Sequence, residues 1–270
     1  MTPEQEKTAL VTGGSRGIGR AIARRLAADG MLVAVHYAQR KETAEETVES
    51  ISRAGGRAFP VRADFATDSG LDELFAGLES GLDGRPLNVL VNSAAVYATP
   101  DDPATPQRDG FVPGFSGVTP AEFDRIFAVN VRAPFFVTQR ALSLMAEGGR
   151  IVYVSSAVTR IAWPLFPYAM SKGALEMLGP RLANELGSRG ITVNSVAPGI
   201  TDDTETNSWL YEVPGAVDGV SGMTALRRLG RPDDIADVVA FLASDAARWV
   251  TGQLIDASGG MALAPVPPGM

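Results

Sequence analysis

The chain of 270 residues has no cysteine, one histidine and only three lysines. Without cysteine there is no disulfide, no thiolate nucleophile and no cysteine metal site. The single histidine, His36, cannot by itself furnish a histidine-based triad or a multi-histidine metal cluster. The acidic residues form no ligand-spaced cluster, so no metal is expected. No apolar run approaches the roughly 18 residues of a membrane span, and the opening MTPEQEKTAL lacks the charged-then-apolar pattern of a signal peptide. Positive charge is the minority sign, with 24 Lys plus Arg against 31 Asp plus Glu and a net charge of −7. That balance argues against nucleic acid or an anionic membrane as partner, and the expectation is a soluble cytoplasmic protein. Wherever a generic positive charge would serve, the chain writes arginine; its lysines are Lys7, Lys41 and Lys172. The ammonium at position 172 therefore calls for a specific reason.

What is present is a regular alternation. Apolar, β-branched runs at 8–13, 31–37, 58–64, 87–92, 150–156, 191–199 and 252–260 read as strands. Helical-period stretches lie between them. Ile18, Ile22 and Leu26 mark the first, and Thr43 to Glu46 a capping box opening the second. Leu71, Leu74, Phe75, Leu78 and Leu82 trace the third. Thr119-Pro120-Ala121-Glu122 starts a fourth that runs towards Met145, followed by helices at 167–186 and 232–243. Strand–helix alternation with near-continuous apolar strands predicts an α/β, doubly wound parallel sheet, covered by helices on both faces, in a single domain over 1–270. Two segments stand outside the pattern: a Pro-rich connection at 97–118, read as an extended substrate-side loop that is either a lid or disordered, and an irregular tail at 263–270.

The segment TGGSRGIG follows the first strand and opens the first helix. Gly13, Gly17 and Gly19, with Ser15, Arg16 and Ile18 between them, sit where a dinucleotide pyrophosphate meets a helix N-terminus. The end of the second strand chooses between cofactors, since an NAD site places an acid there for the ribose 2′-hydroxyl. Here the chain reads His36-Tyr37-Ala38-Gln39-Arg40-Lys41, with no acid before Glu42. Together with Arg16 this makes a basic pocket in an acidic protein, which suits the 2′-phosphate of NADPH better than NADH.

Tyr168 and Lys172 lie at i and i+4 of a predicted helix and share a face. A free phenol titrates near 10. An ammonium beside it favours the phenolate and is expected to lower that value. Lysine is also a compact charge able to reach ribose hydroxyls, whereas arginine is a wide planar fork.

With these residues in view, the chain is identified as resembling the short-chain dehydrogenase/reductase family, close to its 3-oxoacyl-carrier-protein reductases and polyketide ketoreductases. The resemblance spans nearly all of 7–262, through TGGSRGIG, VRADF, FAVNVRAPFF, VSSAV, YAMSK, VAPGI and the C-terminal RRLGRPDDIADVVAFLASDAARWVTGQLIDASGG. It implies a Rossmann-type fold and a catalytic tetrad of Asn130, Ser156, Tyr168 and Lys172. Tyr168 would protonate the carbonyl oxygen while the cofactor delivers hydride. Lys172 would lower the phenol pKa and hold the nicotinamide ribose. Ser156 would polarise the substrate carbonyl, and Asn130 would hold a water that resupplies the proton. The resemblance also assigns Asp64 and Phe65 to the adenine side, and Asn92, Ser93 and Ala94 to the cofactor edge. Pro198, Gly199, Ile200 and Thr204 fall beside the nicotinamide. It implies a homotetramer or homodimer paired through the helices after the fourth and fifth strands.

The chain departs from the family pattern in four places. Asn92-Ser93-Ala94-Ala95 replaces Asn-Asn-Ala-Gly. Counting back from Tyr168 selects Ser155, whereas alignment through GRIVYVSS selects Ser156. Gly179-Pro180 is expected to interrupt the Tyr168 helix. The 97–118 connection is longer than usual. Val158, Trp163, Phe166 and Trp209, with Phe111, Phe115 and Tyr211, make an aromatic-rich rim suited to a bulky ketone. The expected function is NADPH-dependent reduction of a polyketide-type carbonyl. The alternatives are a 3-oxoacyl-thioester reductase and an alcohol, sugar or steroid dehydrogenase; a non-catalytic NADP-binding protein would not need the four tetrad residues together.

Overall fold

The computed structural model describes residues 6–97, 114–203, 207–261 and 263. Seven parallel strands form one sheet: β1 (Thr8–Thr12), β2 (Leu32–Tyr37), β3 (Arg57–Arg62), β4 (Leu87–Asn92), β5 (Met145–Val154), β6 (Thr192–Pro198) and β7 (Leu254–Ala257). Their order is β3-β2-β1-β4-β5-β6-β7. The chain runs outward from β1 to β3, then returns to β4 on the other side of β1. A crevice opens at that reversal, at the carboxyl ends of β1 and β4.

The inner strands β1, β2, β4 and β6 are buried on both faces because helices cover both, whereas the edge strands β3 and β7 are partly exposed. On one face, α1 (Gly17–Ala28), α2 (Lys41–Arg53) and α9 (Pro232–Ala243) bury Ile22, Leu26, Ile51, Ile235, Val239 and Leu242 against Val33, Val35 and Val91. On the other, α3 (Gly70–Leu82), α5 (Ala133–Ala141) and α6 (Phe166–Leu186) bury Leu74, Phe75, Val137, Leu175 and Leu186 against Leu10, Leu90, Ile151 and Val193. A small third cluster, Leu210, Val220, Leu229 and Met261, lies under α7 (Trp209–Glu212) and α8 (Ala216–Met223). Among the described residues no helix is long and apolar enough to cross a membrane.

Four boundaries differ from the sequence reading. Helix α2 starts at Lys41 rather than after Thr43, and the Thr43 hydroxyl donates to the Arg40 carbonyl at 2.9 Å instead of capping. The expected helix from Thr119 to Met145 is broken into α4 (Pro120–Phe127), a wide π turn at Ala128–Arg132 and α5. Pro134 has no N–H to offer the Asn130 carbonyl, so an α-helical bond cannot form there. Strand β5 begins at Met145, five residues early, because Leu87 pairs with Met145 before the ladder skips to Val89 and Arg150. Helix α6 runs unbroken through Pro180, whose ring stands on the exposed side.

Candidate active site

The glycine turn is held from beneath by the strands around it. The Thr12 hydroxyl at the end of β1 accepts from the Ser93 and Ala94 amides at 3.0 and 3.1 Å, tying β1 to the chain leaving β4. The Gly13 amide donates to His36 Nδ1 at 2.9 Å, and His36 Nε2 meets the Ala63 carbonyl at 3.0 Å. The ring therefore carries its proton on Nε2 and stacks on Phe65, with centroids 4.4 Å apart. Burial pushes the His36 pKa down to about 4, so the ring is neutral at physiological pH. Thr47 and Arg20 both donate to the Ser15 carbonyl, at 3.1 and 2.9 Å.

Gly13 and Gly17 have φ of +66° and +53°, where an L side chain is strained. A Cβ on Gly19 would stand 2.1 Å from the Gly13 carbonyl oxygen, and one on Gly13 would stand 2.8 Å from the Ala94 Cα. The turn thus packs as tightly as backbone allows. Arg16 precedes α1 without any side-chain cap, which leaves the first amides of that helix for an anion. These features fit a dinucleotide phosphate.

Beyond the turn, Gln39, Arg40 and Lys41 lie exposed at the carboxyl end of β2, above the buried Tyr37. Lys41 pairs with Glu45 at 3.2 Å, so Arg40 and Arg16 are the better candidates to meet a phosphate. Asp64 follows β3 and accepts from the Ala66 amide at 3.0 Å. Two assigned residues turn their side chains elsewhere. The Phe65 ring is committed to His36. The Asn92 amide donates to Thr138 at 3.2 Å within a buried group that includes Tyr153, so only its backbone borders the crevice.

The four proposed catalytic residues converge on the other side of the crevice. The Ser156 hydroxyl lies near enough to the Tyr168 phenol to pull its pKa down, and it accepts from the Val158 amide at 3.3 Å. Ser155 is instead occupied, donating to Glu176 at 2.6 Å. Lys172 is buried, donates to the Val154 carbonyl at 2.7 Å, and its Nζ lies 5.5 Å from the Tyr168 ring centroid. Both groups of the Asn130 amide bind Val96, at 2.8 Å each, and Nδ2 also reaches Ser171 at 3.1 Å. A water at Asn130 would thus be held by its carbonyl, which Pro134 leaves without an α-helical donor.

The electrostatics correct one expectation. Lys172 does not lower the Tyr168 pKa here; loss of water around the phenol pushes it up to about 12, with the Ser156 bond pulling the other way and Tyr97 adding to the rise. Burial likewise pulls Lys172 down to about 8, while Glu176 supports its charge. With its ammonium turned to a carbonyl, the lysine acts on the phenol less than burial does. The outcome is a phenol that stays protonated at neutral pH and can give a proton.

Around this cluster lie the rim aromatics. Trp163 and Trp209 have ring centroids 6.5 Å apart, and Phe166 meets Phe115 edge-on at 5.3 Å. Trp209 also packs on the small third cluster, and Val158 is buried. Pro198 ends β6, and Gly199 follows so close to Ser258 that a Cβ would lie 2.9 Å from its carbonyl oxygen, with Ile200 next in line. Tyr97 was not assigned a role from sequence, yet its ring stands 6.0 Å from that of Tyr168, edge-on. An aromatic five residues past the end of β4 was the available signal. Thr204, Phe111, most of 97–118 and most of the tail lie outside the described residues.

A family model described as enoyl-(acyl carrier protein) reductase matches residues 13–262. An uncharacterized oxidoreductase of Methylorubrum extorquens is 43% identical, covering 97% of this chain and 100% of its own. The crystal structure of the angucycline C-6 ketoreductase LanV with bound NADP is similar at 50% identity and a TM-score of 0.86, covering 96% of each chain. The promiscuous reductase LugOII, which catalyses keto-reduction at C1 during lugdunomycin biosynthesis, is 49% identical with a TM-score of 0.86, covering 97% of this chain and 100% of that one.

Proposed function

Given that the chain belongs to the short-chain dehydrogenase/reductase family and is an NAD(P)-dependent oxidoreductase, we propose that it is an NADPH-dependent ketoreductase acting on a bulky, polyketide-type ketone of secondary metabolism. The observation that carries this reading is the Tyr168 phenol beside the Ser156 hydroxyl, with the buried Lys172 ammonium 5.5 Å from its ring centroid. NADPH, when bound, supplies the hydride. Gly13, Ser15, Gly17, Ile18 and Gly19 would seat its pyrophosphate, with Arg16 and Arg40 on the 2′-phosphate and Asp64 towards the adenine. The backbone of Asn92 to Ala94 and of Pro198 to Ile200 would border the nicotinamide, with Thr204 beyond.

A ketone oxygen lying between the Ser156 and Tyr168 hydroxyls receives a hydrogen bond from the serine and the proton from the phenol. These are the two donors needed where negative charge develops. The Lys172 ammonium holds the nicotinamide ribose, and with a water on the Asn130 carbonyl it returns a proton to Tyr168. Trp163, Phe166 and Trp209 favour a flat, polycyclic substrate over a short acyl chain, which agrees with the ketoreductases the chain resembles.

The test is titration with NADPH and NADH side by side, followed by reduction of polycyclic ketones. NADPH is expected to bind at least tenfold more tightly, and Arg40→Ala to lose about tenfold in NADPH affinity with NADH unchanged. Equal binding of the two cofactors, with Arg40→Ala unchanged, would remove the reductase reading. Exposed Phe135 and Phe136 on α5 and Met170 and Met177 on α6 support a homodimer or homotetramer paired through those helices. Sedimentation at micromolar concentration should show a dimer or tetramer, and a monomer would exclude the pairing.

A further inference from the structure

The helix that carries Tyr168 and Lys172 continues the same stripe with an acid. Tyr168, Lys172 and Glu176 follow at i, i+4 and i+8 of α6, so all three look across at the end of β5. There, one oxygen of Glu176 takes two hydrogen bonds. The Ser155 hydroxyl donates to it at 2.6 Å and the Thr159 hydroxyl at 2.9 Å. These two donors bracket Ser156; the single Thr159 proton is shared between the Glu176 oxygen and, at the longer 3.1 Å, the Ser156 carbonyl. The turn that presents Ser156 is thus fastened at both ends to a single carboxylate.

We propose that Glu176 is a positioning residue of the active site, clamping the Ser155–Thr159 turn to the helix that bears Tyr168 and Lys172 and setting a fixed negative charge one turn behind the Lys172 ammonium. The inference rests on the ketoreductase reading above. Its first role holds the Ser156 hydroxyl against the Tyr168 phenol, where a small displacement misaligns both donors to a carbonyl oxygen. Its second role keeps a buried ammonium charged. Burial lowers the Lys172 pKa and the Glu176 charge opposes that fall.

Among the described residues no other charge acts on Lys172. On α6 itself the neighbour at i−4 is Tyr168, and Tyr97 stands beyond that phenol. Tyr153 on β5 is bonded to Thr138, and β6 carries no titratable side chain. Arg132 in the π turn pairs with Asp68, and Arg160 after Thr159 pairs with Asp256. Helix α4 brings Glu122, Asp124 and Arg125, none of which acts on Lys172.

Glu176→Gln keeps an acceptor for both hydroxyls and removes the charge; Glu176→Leu removes both. Only three lysines are present, so carbon-13 labelling of lysine side chains gives three signals, with Lys172 identified by its loss in Lys172→Arg. The Lys172 midpoint is expected to fall by about half a pH unit or more in Glu176→Gln. The high-pH limb of NADPH-dependent ketone reduction should move down with it. Glu176→Leu should in addition lose about tenfold in kcat with KM little changed. An unmoved Lys172 midpoint in both variants overturns the proposal, as does a moved midpoint with an unmoved pH–rate limb. If the wild-type protein reduces no ketone, the ketoreductase reading has failed, while the lysine titration still decides whether Glu176 governs Lys172.

Discussion

Tyr168→Phe is expected to lower ketone reduction about a thousandfold, roughly 4 kcal/mol of transition-state stabilisation, while NADPH binding stays within about twofold of wild type. The asymmetry follows from geometry. Phenylalanine keeps the ring, and with it the edge contact to Tyr97 and the position above Lys172. What disappears is the one hydroxyl that both stands beside Ser156 and is kept protonated by loss of water. Ser156 remains able to polarise a carbonyl, which accounts for a residual rate. Steady-state kinetics with NADPH and a polycyclic ketone, beside fluorescence titration of the cofactor, measures the two quantities separately. A variant that retains more than a tenth of the wild-type rate would show that Tyr168 is not the proton donor.

Acid is expected to loosen the cofactor turn through His36. Its folded pKa, about 4, lies below the ordinary imidazole value of about 6.5. The neutral ring is therefore the form that folding favours. That stability is complete above about pH 6.5 and is lost as pH falls through about 4, on the order of 3 kcal/mol in all. The charged ring cannot accept the Gly13 amide at Nδ1, so the loss falls on the bond that seats the glycine turn. His36→Asn offers an acceptor that does not titrate. Urea midpoints measured from pH 7.5 to 4.5 should fall more steeply for the wild type than for this variant. Equal slopes would mean that His36 is not the group responsible. As the only histidine in the chain, its ring signals also report the protonation directly.

Periodicity carried most of the architecture, since the inner strands are near-continuously apolar and the crossing helices show their stripes. It failed where chemistry of single residues overrode the period. Pro134 forces the π turn inside what reads as one helix, and Gly148, at φ +70°, lets residues 146–149 bulge at the start of a strand whose sequence signal begins only at 150. The site was legible as spacing: glycines after β1, Tyr168 four before Lys172, Ser156 at the end of β5. Depth was not. Spacing places Lys172 on the same face as Tyr168, but only the packed structure shows Lys172 buried and Tyr168 half-buried, where loss of water governs their protonation. Nor does spacing reveal which way a side chain turns at a strand end. Phe65 and Asn92 look into the protein, while Tyr97 looks into the site.

The small third cluster beneath α7 and α8 bears on how such a chain diverges. Trp209, Ile161 and Ile200 pack on Leu210, Val220, Leu229 and Met261, apart from the two large cores that hold the sheet. On the reading proposed above, a substitution in this cluster would change the shape a substrate must match and leave the Tyr168 helix and the glycine turn on their own foundations. Selectivity and chemistry would then be inherited on separable parts of one fold, and the rim could drift towards a new substrate with little risk of unfolding the rest.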